Sequence, residues 1–366
     1  MNIATVFSGI GAVEYALKED YPEIKTNILF ACDCGECRAP LDPETVKKLH
    51  RIKDDDQRYA SVAEEYAKIR TVNRVKEVYQ NNYDDPNSPR IQWFDDIRFI
   101  NGKPFADKVD LFVGGSPCQS FSLMGKRKGL KDTRGTLFFD YARLISEIRP
   151  RVFIFENVPG MLIHDEGRTW KTIFSVFKGL NYDVHFDVLN AKDYGIPQNR
   201  RRLFVVGFRG KDKVRPFVFP ATRTSTLTMK DYLEKSPNTK YFLGKKGFQF
   251  VTNPKYAGRA SIDSDIIKTE KRNQEFNWNG DFVFVPLDGN PWLSKVKNAY
   301  IGTYKGKKGA VRKLTPRECH NLMGFKNDFL LCADHDVDAY KQSGNSIVIN
   351  VISAIISEIR KVEPLE

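Results

Sequence analysis

Short apolar runs alternate with amphipathic stretches along the first two thirds of the chain, a rhythm typical of a parallel sheet covered by helices. The runs are rich in Val, Ile and Phe and are bounded by Gly, Pro or Asn, which predicts buried strands. The predicted strands are residues 3–7, 27–33, 109–114, 152–156, 184–189 and 203–208. Apolar residues at helical spacing predict helices within 137–148 and 173–180.

Two regions depart from this rhythm. Residues 35–70 are polar and charge-rich with weak helical periodicity, which indicates an insertion after the second strand. From about residue 211 to 309 the alternation stops, and lysines and arginines are interleaved with tyrosines, phenylalanines and tryptophans. Helical patterning then returns, with Thr315-Pro316 as an N-cap and first-turn pair. We therefore expect a catalytic domain from 1–210 plus 340–366 and a smaller domain from 211–339.

Length and charge narrow the class of protein. The chain has 366 residues, 58 Lys+Arg against 46 Asp+Glu, and 41% hydrophobic residues. A single core rarely exceeds roughly 300 residues, so two domains are expected, and this apolar content excludes a disordered chain. We see no membrane-spanning run and no secretory signal, and six cysteines indicate reduced, intracellular thiols. The net charge of +12 permits a nucleic-acid partner.

A glycine turn follows the first predicted strand, in Phe7-Ser8-Gly9-Ile10-Gly11. Such a turn lets the backbone approach a ligand closely at the carboxyl edge of the sheet. A dinucleotide fingerprint would have a third glycine at position 14, but Glu14 stands there, and its charge disfavours a pyrophosphate. The turn therefore favours an adenosine ligand without phosphates over NAD. Asp33 ends the second predicted strand and could accept hydrogen bonds from ribose hydroxyls, and Asp96 ends the third βα connection. The alternative for either residue is a solvated carboxylate at the end of a strand.

Three further segments carry candidate chemistry. Cys118 follows Pro117 in a polar loop after the third predicted strand, with a basic, glycine-containing segment at 122–131 as a candidate lid; the alternative is a buried structural thiol. Glu156 closes an apolar strand, as a proton donor or as a helix cap. The run at 198–202 ends in three arginines, able to bind a phosphate or a base edge, or to hold an acid such as Glu156; its alternative is a solvated basic run.

The order of these motifs resembles that of the C5-cytosine DNA methyltransferases. The matching segments are FSGIG (7–11), GSPCQSFS (115–122), GTLFFD (135–140), FENV (155–158), QNRRR (198–202), RKLTPRE (312–318) and QSGNS (342–346). The resemblance implies a class I methyltransferase fold, Rossmann-like and mostly parallel, with a smaller target-recognition domain. It makes Cys118 the nucleophile, with Glu156 and Arg202 holding the cytosine and Arg200 nearby. It implies S-adenosylmethionine as cofactor, S-adenosylhomocysteine as product, and cofactor contacts at Phe7, Ser8, Gly9, Ile10, Gly11, Asp33, Asp96, Ile97, Pro117, Leu137, Asn345 and Ser346.

Two positions depart from the family pattern. Asp33 stands where the family usually has Glu, and Cys34 stands where it usually has an apolar or aromatic residue over the adenine. Cys32, Cys34 and Cys37 have the spacing of part of a metal site, but no second cysteine pair follows, so we expect no metal.

The resemblance implies methyl transfer to C5 of a cytosine flipped out of double-stranded DNA. Specificity is expected in about 221–309. By family analogy we expect a bacterial or phage modification enzyme that is functionally paired with a restriction endonuclease. We expect it to be a monomer in the cytoplasm, associated with the nucleoid and not with a membrane, and to have no regulatory domain before the catalytic one. The alternatives are a tRNA cytosine-5 methyltransferase, a non-catalytic DNA-binding protein on this fold and, more distantly, a nicotinamide oxidoreductase.

Overall fold

A computed structural model of the chain describes residues 1–35, 41–70, 72–87, 90–116, 137–210, 216–256, 258–332 and 335–365. The chain divides into two compact units. The first comprises 1–189, 201–221 and 352–366, and the second comprises 190–200 and 222–351.

The described secondary structure follows the chain in this order. The strands are β1 (Asn2–Val6), β2 (Asn27–Cys32), β3 (Gln92–Phe94), β4 (Leu111–Gly114), β5 (Val152–Asn157), β6 (Tyr182–Asn190), β7 (Gln198–Asn199), β8 (Arg201–Arg209), β9 (Ser261–Ile262), β10 (Ile267–Lys268), β11 (Asp281–Pro286), β12 (Gly302–Tyr304) and β13 (Lys307–Lys313). The helices are α1 (Ala12–Asp20), α2 (Pro43–His50), α3 (Asp55–Ile69), α4 (Arg74–Tyr83), α5 (Leu137–Ile148), α6 (Arg168–Gly179), α7 (Lys245–Thr252), α8 (Pro316–Asn321), α9 (Asp336–Asn345) and α10 (Ile349–Val362).

The first unit is built on a seven-stranded sheet in the order β3-β2-β1-β4-β5-β8-β6. β1 pairs in parallel with β2 and β4, and β3 and β5 extend the parallel array on either side, whereas β8 is antiparallel to β5. The predicted α/β fold with a mostly parallel sheet is therefore confirmed. The strand order reverses between β1 and β4, and open α/β sheets bind ligands outside the carboxyl ends of the strands at such a point.

The six predicted strands all fall on strands of this sheet, and the sequence pattern missed only β3 among its members. β3 has three residues and lies at one edge, which is too short to display an alternation of apolar and polar positions. β6, at the other edge, is longer than predicted and begins at Tyr182.

Aromatic side chains fill the space between the sheet and helices α5 and α6. Tyr141 of α5 stacks on Phe112 of β4 with ring centroids 5.1 Å apart, and Phe177 of α6 lies 4.8 Å from Phe153 of β5. Gly207 of β8 lies opposite Phe153, and a Cβ atom at this glycine would be 2.1 Å from the Phe153 ring. This close packing holds the carboxyl ends of β4 and β5 in fixed positions.

The insertion at 35–70 forms two helices, α2 and α3, each capped by an aspartate. Asp42 accepts hydrogen bonds from the first-turn amides of α2, and Asp54 does the same for α3. The two helices share a small core of their own with a residue of the segment that follows β3. Its buried members are Leu41, Leu49, Val62, Tyr66 and Phe99.

The second unit contains a four-stranded sheet in the order β12-β13-β11-β9 and a separate β10–β7 pair. Thr315 caps α8 and Pro316 occupies its first turn, as the sequence predicted. Residues 190–200 belong to this unit, and within it Gln198 of β7 pairs with Ile267 of β10. The unit also includes residues 340–351, which the sequence pattern assigned to the catalytic domain. The domain bounds given by the sequence pattern stay a prediction.

Among the residues that the structure describes, no helix has the length and apolar character needed to cross a membrane.

Candidate active site

The glycine turn after β1 has a backbone that only certain residues tolerate. Gly11 has a φ of 82° and is the N-cap of α1, and Phe7 also has a positive φ, of 53°. A Cβ atom at Gly11 would be 2.2 Å from the ring of Tyr83, whose hydroxyl donates to the Gly11 carbonyl. Glycine is thus required at position 11 both by conformation and by the approach of α4. The turn brings backbone groups to the carboxyl edge between β1 and β4.

Ser8 and Asp33 tie this turn to the end of β2. The Ser8 hydroxyl accepts a hydrogen bond from the Cys32 amide at 3.0 Å, so it bridges the ends of two strands. Asp33 accepts from the Gly9 amide at 3.0 Å through one oxygen and from the Gly35 amide at 2.7 Å through the other. The Asp33 carboxylate therefore lies directly beside the turn. Among the predicted cofactor contacts, Phe7, Ser8, Gly9 and Asp33 are partly exposed beside one another, whereas Ile10 and Gly11 are buried.

Asp96 follows β3, which is one strand farther than β2 from the point between β1 and β4 where the strand order reverses. Its carboxylate accepts from the Arg98 guanidinium at 2.6 Å and from the Tyr66 hydroxyl at 2.8 Å, and its side chain is almost fully buried. Ile97 is also buried and packs into the main core of the first unit. Asp96 is thus held by hydrogen bonds and Ile97 by core packing, and their predicted contacts with the cofactor remain predictions.

Glu14 lies on α1 just after the turn, and its side chain is buried. Its carboxyl group is 2.7 Å from the Thr5 hydroxyl and accepts a hydrogen bond from the Tyr79 hydroxyl at 2.7 Å. Burial raises the pKa of this carboxyl above its ordinary value. Glu14 therefore acts as a link among β1, α1 and α4, a role that the sequence did not reveal.

On the other side of the switch point, Glu156 and Arg202 meet at the carboxyl end of β5. The Nε atom of Arg202 lies 3.1 Å from Oε1 of Glu156, and both side chains are mostly buried. A Cβ atom at Gly115, which follows β4, would be 2.8 Å from the Glu156 carbonyl and 3.1 Å from its Oε2. A glycine here thus lets the backbone after β4 pass close to the Glu156 carboxyl group.

Asn157 holds the backbone after β4 from the adjacent strand. Its side-chain amide donates to the Ser116 carbonyl at 2.8 Å, and its side-chain oxygen accepts from the Val158 amide at 2.9 Å. Sequence reasoning noted Asn157 only as part of the FENV motif. The signal was its position directly after the strand-end acid.

Pro117, Cys118 and the candidate lid at 122–131 lie outside the described residues, as does Cys37. The described part of the loop ends at Ser116, two residues before Cys118, and Leu137 begins α5 after it. Cys32 is buried and Cys34 is exposed. No cluster of three or more His, Cys, Asp or Glu side chains suited to a metal occurs within the described ranges.

Arg200, Asn345 and Ser346 belong to the second unit. The Arg200 guanidinium donates to the carbonyls of Glu270, Gly344 and Ser346 at 2.8–2.9 Å and is almost fully buried. Asn345 ends α9 and Ser346 is its C-cap. Arg200 therefore ties the end of α9 to the segment after β10, whereas Arg202, two residues along, pairs with Glu156 in the first unit.

Sequence comparison finds similarity to one family. Residues 57–361 match the C-5 cytosine-specific DNA methylases. The type II methyltransferase M.SsoII of Shigella sonnei is 38% identical over 289 residues, covering 78% of this chain and 71% of that protein. M.HpaII of Haemophilus parainfluenzae is 34% identical over 304 residues, covering 77% and 78%. M.HhaI of Haemophilus parahaemolyticus is 32% identical over 288 residues, covering 78% and 84%.

Solved structures share the fold at lower sequence identity. The Entamoeba histolytica methyltransferase EhMeth superposes with a TM-score of 0.67 at 17% identity, covering 99% of this chain and 98% of that chain. A DNA modification methyltransferase from an Escherichia coli prophage superposes with a TM-score of 0.56 at 18% identity, covering 99% of both chains.

Proposed function

Because this chain belongs to the family of C-5 cytosine-specific DNA methylases, we propose that it transfers a methyl group from S-adenosylmethionine to C5 of cytosine within a specific duplex sequence. It is a DNA cytosine-5-methyltransferase of the restriction–modification kind, with type II methyltransferase relatives at 32–38% identity. The matched family consists of DNA methylases, which sets the tRNA alternative aside. The observation that carries the site assignment is the Glu156–Arg202 pair beside Gly115, three residues before Cys118.

The residues at the carboxyl edge of β1, β2 and β3 fit S-adenosylmethionine. Carboxylates at Asp33 and Asp96 suit hydroxyl and amino donors and a positively charged sulfonium, and they would repel the phosphates of a dinucleotide. Asp33 lies against the glycine turn, where a ribose would be held, and Asp96 lies one strand farther out, toward the adenine. When bound, S-adenosylmethionine supplies the methyl group in an activated, electrophilic form.

The chemistry on cytosine requires a nucleophile because C5 of the free base is too weakly nucleophilic to be methylated directly. We assign the attack on C6 to the Cys118 thiolate, which raises the electron density at C5. Glu156 holds N3 and the amino group of the base, and Arg202, at 3.1 Å, keeps the Glu156 carboxyl in one orientation. Once C5 has taken the methyl group, with S-adenosylhomocysteine as the leaving group, a base removes the C5 proton and the thiolate leaves. Both ring faces must be accessible, so the cytosine is flipped out of the duplex.

The second unit is assigned to recognition of the target sequence. It is rich in lysine, arginine and aromatic residues, and Trp278 and Trp292 are partly exposed. Basic side chains bind phosphates and base edges in the major groove. Double-stranded DNA is the proposed substrate, and a restriction endonuclease that cleaves the same sequence is the proposed functional partner. We further propose that the enzyme acts as a monomer in the bacterial cytoplasm, associated with the nucleoid.

The activity is tested by incubating the protein with S-adenosylmethionine and genomic DNA, followed by base-resolution mapping of 5-methylcytosine. We expect methylation at one cytosine of one recurring sequence. The absence of 5-methylcytosine in DNA that the protein binds would support the non-catalytic alternative instead.

The covalent step is tested with duplex DNA that carries 5-fluorocytosine at the mapped position, since fluorine cannot be removed as the C5 proton is. We expect a stable adduct on the peptide that contains Cys118, and none with Cys118→Ala, which retains duplex binding. Cys332→Ser serves as the control, because Cys332 is a free cysteine that lies in the second unit. An adduct that persists in Cys118→Ala would refute the assignment.

The role of Arg202 is tested by Arg202→Ala. Loss of the guanidinium leaves the Glu156 carboxyl without this partner, and we expect single-turnover methylation to slow by about 10²-fold or more while DNA affinity changes little. An equal loss of DNA affinity and rate would show that Arg202 binds DNA rather than orienting Glu156.

A further inference from the structure

We infer that the insertion formed by α2 and α3 is a wall of the cofactor site, and that Tyr66 and Arg70 are positioning residues for cofactor binding. The insertion packs on the segment that follows β3, residues 95–101, which contains the proposed cofactor contacts Asp96 and Ile97. This inference rests on the proposed function, because it takes that segment to bind the adenosine part of S-adenosylmethionine.

Tyr66 on the last turns of α3 contacts Asp96 directly. Its hydroxyl donates to Asp96 Oδ2 at 2.8 Å, and both side chains are almost completely buried. Burial and the neighbouring Asp96 charge raise the pKa of Tyr66, so the hydroxyl keeps its proton and stays a donor. The same carboxylate also accepts from Arg98, whose guanidinium bonds both oxygens at 2.6–3.0 Å. Asp96 is thus held by two side chains, one of them supplied by the insertion.

Arg70, the C-cap of α3, connects the insertion to two strand ends. Its guanidinium forms an ion pair with Asp95 and donates to the Cys34 carbonyl, and it lies 5.0 Å above the ring of Tyr66. Cys34 follows β2 and Asp95 follows β3, so one side chain fixes the spacing of the two strand ends. The Arg70 and Asp95 side chains are both about nine-tenths buried, which makes this pair part of the interior rather than a surface contact.

The rest of the segment after β3 is also anchored to α3. The Asn101 amide donates to the Tyr59 hydroxyl at 3.1 Å, and the Asn101 side chain donates to Asp55 at 2.6 Å. Phe99 packs into the small core of the insertion. Contacts from the first two turns and the last turn of α3, and from its C-cap, therefore reach residues 95–101.

These contacts account for an insertion whose sequence suggested no role. A short, three-residue edge strand provides little hydrogen bonding of its own to hold the turn after it. α3 supplies that restraint, so the position of the Asp96–Ile97 turn depends on the insertion. The adenosine end of the cofactor would meet a pre-ordered surface, which lowers the cost of binding.

The inference is tested with Tyr66→Phe, which removes only the hydroxyl, and binding of S-adenosylhomocysteine is measured by calorimetry without DNA. We expect the dissociation constant to rise about threefold to tenfold, the effect of losing one net hydrogen bond. The KM for S-adenosylmethionine should rise by the same factor, while kcat and the affinity for DNA remain within about twofold. The affinity for 5′-methylthioadenosine, which lacks the amino-acid part of the cofactor, should fall by the same factor in Tyr66→Phe.

Tyr182→Phe is the matched control. It also removes a buried tyrosine hydroxyl from the first unit, one that donates to the Pro150 carbonyl at 2.7 Å. Pro150 precedes β5 and so lies at the amino ends of the parallel strands, whereas the proposed cofactor site lies at their carboxyl ends. Tyr182→Phe should lower the unfolding midpoint about as much as Tyr66→Phe does and leave S-adenosylhomocysteine binding unchanged.

A second variant, Arg70→Gln, keeps the inference testable if Tyr66→Phe folds poorly, and it should also weaken S-adenosylhomocysteine binding. If either folded variant binds S-adenosylhomocysteine as tightly as Tyr182→Phe does, the insertion does not position the cofactor site and the inference is overturned. A wild-type protein that neither binds S-adenosylhomocysteine nor methylates DNA would instead refute the proposed function.

Discussion

Arg312 and Glu318 form a buried ion pair in the second unit. Removing one partner by substitution should lower the free energy of unfolding of that unit by several kcal/mol. Both carboxylate oxygens accept from the Arg312 guanidinium at 2.7 Å, and they also accept the amides of Thr315 at 2.8 Å and Glu234 at 2.9 Å. Neither side chain is more than 2% exposed. Glu318→Ala therefore leaves a buried guanidinium without its carboxylate and removes the acceptor of two backbone amides. Breaking a buried pair in this way costs about 3–5 kcal/mol, and the lost cap of α8 adds to that.

The stability of the second unit can be measured separately because the four tryptophans are divided between the units. Trp93 and Trp170 lie in the first unit, and Trp278 and Trp292 lie in the second. In a background with Trp93→Phe and Trp170→Phe, urea unfolding followed by fluorescence reports on the second unit alone. We expect Glu318→Ala to lower its free energy of unfolding by about 4 kcal/mol.

Lys240→Ala is the control for this measurement. Lys240 pairs with Asp336 at 2.7 Å, but its side chain is more than half exposed, and exposed pairs contribute less than about 1 kcal/mol. The double variant Glu318→Ala, Arg312→Ala should lose about 1–3 kcal/mol less than the sum of the losses in the two single variants. The reason is that the second substitution removes a side chain whose partner is already gone. A loss below about 1 kcal/mol for Glu318→Ala, or strict additivity, would refute the structural role assigned to this motif.

Three further predictions concern packing and pH. Gly207→Ala should cost about 1–3 kcal/mol or more in the first unit, since its methyl group would overlap the Phe153 ring; differential scanning calorimetry that finds no loss would contradict the packing. Burial raises the pKa of Glu270 to about 8, so the folded state keeps a proton that the unfolded state releases above about 4.5. The second unit should lose stability as pH rises from 6.5 to 8, and Glu270→Gln should remove that loss. If the free energy of unfolding from urea titrations falls equally with pH in the wild type and in Glu270→Gln, the prediction is wrong. Burial lowers the pKa of His320 to about 4, so the unfolded state binds a proton below about 6.5 that the folded state does not. Glu270 has the opposite effect between pH 4.5 and 6.5, so this contribution is measured in the Glu270→Gln background, where stability should fall as the pH drops from 6.5 to 4. His320→Gln should flatten this acid limb, and an unaltered limb would rule out His320 as its source.

Much of the first unit could be predicted from sequence because a buried parallel strand must be apolar along its whole length. Continuous apolar runs predict β1, β2, β4 and β5 in this way. The ends of those runs then identify the strand-end residues Asp33 and Glu156. The family resemblance depended on short local segments, and two of them, FSGIG and FENV, lie at the ends of β1 and β5. β3 was missed because three residues at a sheet edge carry no periodic signal.

Tertiary structure alone decided which polar side chains meet. Arg200 and Arg202 are two residues apart in one basic run, yet one binds three carbonyls of the second unit and the other pairs with Glu156 in the first. The contact of Tyr66 with Asp96 spans thirty residues of sequence in the same way. Hydrophobic burial repeats along the chain and leaves a pattern there, whereas a hydrogen bond joins two atoms whose separation in sequence has no preferred value. The amino-acid sequence by itself determined the sheet, its strand ends and the family, and only the folded chain determined the partners of the charged groups.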